Sequence, residues 1–246
     1  MALLVAAHRG ASDTLPENTV VAVADAIELG CDYVEFDVRA TGDGRLVLMH
    51  DERLERTTDG AGRLADKSLH QVRELDAGAW MGEAHRGRKV PTLNETLAVL
   101  RGTGRFIVDF KETRADLREE LVLSLRADDV LDKAYVSSPS ALVLEELARS
   151  APDLQLAVPL RLVFSGAEPV ALERLKPRMF LARAADVSEE AAAAARSSGV
   201  PLLVTLPRDL DAPASLSLAA RLERLGASGV LTARARIFLQ KGLRIL

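Results

Sequence analysis

Short β-branched and aliphatic runs alternate with helical patterns along the whole chain. Runs of strand length fall at residues 3–7, 33–38, 46–50, 106–111, 134–137, 155–158, 179–182, 202–206 and 229–232. Helical periodicity fills most of the gaps. One helix covers residues 19–29 and stops at Gly30; another covers 139–149, with Ser138 as cap and Pro139 at the first helical position. Thr92 and Glu95 form a capping box, and Ser188 opens an Ala-rich helix with Glu189 and Glu190 in its first turn and Gly199 at its end. Repeated strand–helix units predict a parallel α/β architecture, a single (β/α)8 TIM barrel spanning residues 1–246.

Nine runs are one too many for eight barrel strands, and the surplus identifies itself. Only "RATGDGR" separates Val38 from Leu46, too short for a crossover helix, and Asp43-Gly44 is a hairpin signal. A two-residue turn there places Asp37 directly opposite His50, with Cβ atoms about 5 Å apart. Residues 46–50 are therefore an antiparallel flap on the second strand. Residues 51–90 follow as an insertion, charged and glycine-containing, with a short helix capped at Ser68. Loops of that length usually serve a site.

Two strands break the apolar rule for buried parallel strands. In "YVEFDVRA", Val34, Phe36 and Val38 face one way, while Glu35, Asp37 and Arg39 face the other. In "FIVDFKE", Asp109 and Lys111 share the inward face with Ile107. Inward carboxylates cost several kcal/mol unless paired or metal-bound; the bland alternative is a salt bridge with Arg39 or a neighbouring strand. Three carboxylates without cysteine form an oxygen-only set, suited to Mg2+ or Ca2+. At the C-terminal rim, where barrel enzymes place their chemistry, they would gather with His8, Arg9 and Lys111 into a site for an anionic, phosphoryl-type substrate.

"HRG…PENT", "EFDVRATGDGRLVLMHD" and "VDFKE" resemble the motif series of the glycerophosphodiester phosphodiesterase family, and the likeness is close over roughly the first 150 residues. The resemblance implies paired catalytic histidines at His8 and His50, and metal carboxylates at Glu35, Asp37 and Asp109. It also implies phosphate-binding cations at Arg9 and Lys111, and a carboxylate at Glu17 that orients Arg9 or reaches the metal through water. The third carboxylate is more often glutamate in the family, which makes Glu112 the fallback for Asp109. One divalent cation, Mg2+ or Ca2+, would be the cofactor. The two histidines would serve as acid and base in hydrolysis of a glycerophosphodiester to glycerol 3-phosphate and an alcohol. The chain departs from the family late. No tryptophan stands in "LLVTLPRD", and Thr232 is followed by Ala233 rather than Asp; both changes bear on the substrate pocket.

Composition narrows the alternatives. With 48% hydrophobic and 28% charged residues, this is a globular chain, and a net charge of -4 argues against nucleic acid as partner. No stretch reaches the ~20 apolar residues of a membrane span. "MALLVAA" lacks the charged start of a secretory signal, and the single cysteine, Cys31, reads as a small buried residue in a reducing compartment; the expected location is cytoplasmic. The expected partner is a small-molecule phosphodiester. A sugar isomerase on the same barrel would need ligands on later strands, and "LAVPL", "MFLARA", "LLVTL" and "GVLT" offer none. A lysophospholipase D-like enzyme and a non-catalytic phosphate- or lipid-binding barrel are the remaining readings; mere binding would not require an acid–base pair. Ser137 and Ser138 lack a nucleophile elbow, His70 and His85 read as solvated or structural, and Trp80 and Met81 either line the site mouth or bury the insertion.

Overall fold

The computed structural model describes residues 3–164 and 172–240. Nine strands form: β1 Leu4–His8, β2 Tyr33–Ala40, β3 Leu46–Leu48, β4 Arg105–Phe110, β5 Ala134–Ser137, β6 Gln155–Pro159, β7 Met179–Arg183, β8 Leu202–Thr205 and β9 Gly229–Thr232. Their order is β1-β9-β8-β7-β6-β5-β4-β2, closed by β1 pairing with β2, and all eight pairings are parallel. This is a closed eight-stranded barrel with flanking helices. The ninth strand, β3, lies antiparallel against β2 and extends the sheet where β1 stops: β1 pairs with Tyr33–Glu35, β3 with Val38–Ala40.

Alternation along the strands divides the apolar residues into two layers. Ala6, Tyr33, Ile107, Tyr135, Ala157, Met179, Leu203 and Leu231 fill the barrel, one from each strand. The opposite faces, including Val34, Phe36, Phe106, Val108 and Phe110, pack against the helices. A third cluster belongs to the insertion: Val47 and Met49 of the flap meet Leu54, Leu64, Val72, Ala77 and Val90. The flap is thus buried on both sides, and the insertion folds over it.

The flap differs from the two-residue turn in register. Val38 pairs with Leu48, Arg39 with Val47 and Ala40 with Leu46, so Asp37 lies opposite Met49 and not His50. Three residues, Gly42, Asp43 and Gly44, make the turn. Thr41 and Arg45 close it, with Thr41 N–H donating to Arg45 O at 3.0 Å, and Gly44 takes the left-handed conformation (φ 77°) that such loops require. Asp43, read as a turn residue, accepts from Thr41 Oγ1 and from Leu69 N–H of the insertion.

Helix starts follow their caps, with two corrections. Ser68, Thr92 and Ser188 cap as expected, Ser68 and Thr92 with full capping boxes, while Thr19, read as the first residue of its helix, is the cap of Val20–Glu28. The helix placed at 139–149 is Ala141–Ser150, and its cap is Ser140, whose hydroxyl accepts from Val143 N–H. Ser138 instead accepts from Ser140 N–H, holding the loop ahead of the helix. Two serines flank Pro139, and the second one wins the cap. Cys31 is half-buried, and burial pushes its thiol up to about 12.

Candidate active site

Three inward rows of the barrel end in polar side chains at the C-terminal rim. The register aligns His8 with Glu35 and Ile107, and one layer higher Asp37 with Asp109 and Ser137. The alternation that sends Tyr33 and Ile107 into the core therefore carries Glu35, Asp37 and Asp109 to a common point. One oxygen from each of these carboxylates lies within 4.8 Å of the other two. His8, Glu35, His50, Asp109, Lys111 and Ser137 share a cavity of about 540 Å3.

The loop after β1 is shaped for this arrangement. Arg9 and Gly10 both take positive φ, 62° and 79°. Gly10 has no room for a side chain, since a Cβ would lie 2.5 Å from the backbone of Ala22. The turn aims Arg9 N–H at Glu35 Oε2, 2.9 Å away, and brings the Arg9 guanidinium within 3.1 Å of Asp37 Oδ2 and 2.6 Å of Glu17 Oε1. Arg9 and Glu17 thus stand behind the carboxylates rather than on the cavity wall.

Asp37 is held from every side. Asn18 donates to its Oδ2 at 2.9 Å and accepts from its backbone N–H at 3.0 Å, and Lys111 Nζ lies 3.0 Å from Oδ1. These cations and the Asn18 amide hold its carboxyl well below the usual carboxylate range. Glu35 is driven the other way: burial and the neighbouring Asp37 and Asp109 raise it well above its ordinary value. Lys111 also bridges to Asp109.

His8 is half-buried on the cavity wall, and its withdrawal from solvent together with the Arg9 charge lowers it to about 3, so its imidazole is neutral. Its Nε2 lies 3.9 Å from Glu35 Oε2, and its Nδ1 has no hydrogen-bond partner among the described residues. His50 follows the flap; Arg39 Nε donates to its carbonyl at 2.7 Å. Its Nδ1 lies 2.6 Å from Asp51 Oδ1, and Arg56 grips Asp51 at 2.5 and 3.1 Å.

A divalent cation fits this donor set. Three oxygen ligands converge, all hard, and the mutual repulsion that raises Glu35 is what a cation among them would relieve. Glu112 belongs elsewhere: it accepts from Ala40 N–H at 3.0 Å and pins the end of β2.

Five polar residues of this region receive no role from the sequence, although Asn18 and Asp51 lie within the motifs that carry the family resemblance. Asn18 reads as part of a helix start, yet Thr19 alone caps and Asn18 serves Asp37. Asp51, Arg56 and Arg208 lie in loops, where no periodicity singles them out. Ser137, the last residue of the run 134–137, reads as no nucleophile, yet it faces the cavity beside Asp109. For Arg208 and Ser137 the available signal is position, at or just past the C-terminal ends of barrel strands. Trp80 and Met81 are outside the cavity lining; Trp80 Nε1 donates to Ala77 O within the insertion. His70 and His85 are outside it too.

A TIM barrel with an acidic, histidine-bearing cavity at its C-terminal rim is the class into which this chain falls. Residues 8–236 match the profile of the glycerophosphoryl diester phosphodiesterase family, and the chain belongs to that family of hydrolases. It is similar to the glycerophosphodiester phosphodiesterase of Caldanaerobacter subterraneus subsp. tengcongensis, 36% identical over 163 residues that cover 64% of this chain and 67% of that one. A Bacillus subtilis glycerophosphodiester phosphodiesterase is 35% identical over 60% of this chain, a match spanning 53% of the relative's length. Among solved structures, an Oleispira antarctica phosphodiesterase in complex with sn-glycerol-3-phosphate superposes with a TM-score of 0.80 at 26% identity, covering 98% of this chain and 97% of that one.

Proposed function

We propose that this chain hydrolyses glycerophosphodiesters to glycerol 3-phosphate and an alcohol, by histidine acid–base catalysis at a site for one Mg2+ or Ca2+ ion. The observation that carries the reading is the convergence of two histidines, two carboxylates and a lysine on one cavity. The names of the relatives and the product bound in the Oleispira enzyme support the substrate class.

Glu35, Asp37 and Asp109 would hold the cation, which when bound supplies Lewis acidity to a phosphoryl oxygen. Arg9, Asn18 and Lys111 keep Asp37 ionised and aimed. Lys111, the cation on the cavity wall, neutralises charge on the phosphoryl oxygens as it develops. His8 and His50 divide the two proton transfers, one taking the proton of the attacking hydroxyl and the other returning one to the departing alcohol. Asp51 fixes the His50 ring by accepting at Nδ1, which leaves Nε2 for the substrate. No helix among the described residues is long and apolar enough to cross a membrane; a cytoplasmic location remains part of this proposal.

The test is alcohol release from a panel of glycerophosphodiesters and lysophospholipids, with glycerol 3-phosphate followed by phosphorus NMR. Cleavage of the glycerophosphodiesters should vanish in EDTA and return with Mg2+ or Ca2+, and the same ion should raise the melting temperature of the wild type but not of Glu35→Gln. Turnover indifferent to EDTA would overturn the metal site. Cleavage confined to lysophospholipids would replace the substrate class.

A further inference from the structure

The cavity has a second end, and it is basic. In the closed strand order β7 stands directly across the barrel from β2, with β6 beside it. Arg161, just past β6, and Arg183, the last residue of β7, line the same cavity as His8, Glu35 and Lys111. Arg183 is paired, with Nε 2.8 Å from Asp186 Oδ2 and Nη2 3.3 Å from Oδ1. Arg161 is not: among the described residues its single polar contact is the Pro139 carbonyl oxygen at 3.5 Å.

Among the described residues this end offers little to a cationic group. Asp186 is the one acidic residue of those lining it and is already matched by Arg183. None of the described residues lining the cavity is aromatic, so they present no ring face to an ammonium. The charge is local rather than a reflection of composition, because the chain as a whole carries -4. Attacking and leaving oxygens lie in line across a reacting phosphorus. With the phosphoryl at Lys111 and one histidine on each side of it, the body of the departing alcohol has the β6 and β7 end of the cavity to extend into.

We propose that Arg161, at the β6–β7 end of the cavity, forms a leaving-group subsite for alcohols that carry an anionic group, a carboxylate above all, and against alcohols that carry only an ammonium. The subsite rests on the phosphodiesterase reading above and adds the class of alcohol to it. Arg161 donates to the anionic group while the phosphoryl remains at Lys111, and the preference weakens as salt screens the exposed guanidinium.

The test compares kcat/KM for glycerophosphoserine and glycerophosphoethanolamine, whose alcohols differ by one carboxylate, with the full chain and either Mg2+ or Ca2+. The wild type should favour the serine diester by about tenfold. Arg161→Glu should bring the ratio to one or below, and Arg161→Lys should keep most of it, with both variants checked for an unchanged circular dichroism melt. Because the readout is a ratio, a general loss of activity leaves it unmoved. Equal cleavage of the two diesters by the wild type, or an unchanged ratio in Arg161→Glu, overturns the subsite alone. Failure to cleave either one overturns the phosphodiesterase reading and the subsite with it.

Discussion

His50 and Asp51 are neighbours in sequence, and their side chains meet at 2.6 Å. That contact matters because an imidazole that shuttles a proton needs one tautomer and one ring orientation. Asp51 is itself anchored by Arg56, whose guanidinium also reaches Glu17 at 2.9 Å. His8 is placed instead by its position at the end of β1, with Nε2 3.9 Å from Glu35 Oε2. Replacing either histidine with alanine should therefore lower kcat by about 10²–10⁴ with the melt unchanged. Asp51→Asn, which presents a donor where an acceptor is needed, should lower kcat by about tenfold or more with KM little altered. Near-wild-type turnover in His8→Ala or His50→Ala would remove the acid–base pair from the mechanism. The inward carboxylates were legible in the sequence because they violate a rule, that parallel strands buried on both faces are apolar; the roles of the two histidines were legible only through the family motifs that hold them. Asn18, Arg56 and Arg208 violate nothing. Polar residues in loops are the norm, and their roles depend on contacts that the pattern does not show, 19 residues apart between Asn18 and Asp37 and 39 between Arg56 and Glu17.

At the scale of elements, the strand–helix alternation located all nine strands, but the flap register differed by one residue. The strand periodicity is blind to turn length, and both Gly42 and Gly44 are needed in the three-residue turn. Gly42 lets the backbone of Ala65 approach, a Cβ there falling 2.6 Å from its carbonyl oxygen, and Gly44 supplies the positive φ. The close approach belongs to the insertion, which a reading of the hairpin alone does not include. His50 still reaches the cavity because it lies beyond the ladder, which ends with Met49 N–H donating to Asp37 O at 3.1 Å, and Arg39 Nε holds its carbonyl there. The β1 loop is less forgiving. Gly10 combines positive φ with contact to the first helix, so Gly10→Ala should destabilise by about 2–4 kcal/mol in urea unfolding. It should also weaken metal binding, because Arg9 N–H would lose its aim at Glu35. A variant with wild-type stability would show that the loop relaxes around the methyl group.

Across the whole molecule, one buried carboxylate joins three regions distant in sequence. Glu17 receives Arg9 from the β1 loop at 2.6 Å, Arg56 from the insertion at 2.9 Å and Arg208 from the loop after β8 at 3.1 Å. Burial alone would raise Glu17, but the Arg56 hydrogen bond and the charges of Arg9 and Arg208 outweigh it and lower the group from 4.5 to about 2. A carboxylate whose folded value is depressed stabilises fully above its unfolded value and loses that contribution as pH falls through the folded one. The window therefore opens near 4.5 and closes near 2. At neutral pH the contribution is about 2–3 kcal/mol. Comparing wild type with Glu17→Gln in urea isolates it from every other titrating group, Glu35 included. The stability gap should be constant from pH 7 to about 5 and shrink by more than half by pH 3, with the remainder persisting because the folded carboxylate stays ionised until the pH nears 2. A gap that holds its full size at pH 3 would mean that Glu17 works through packing, and that the insertion and the β8 loop are held to the barrel by something other than its charge.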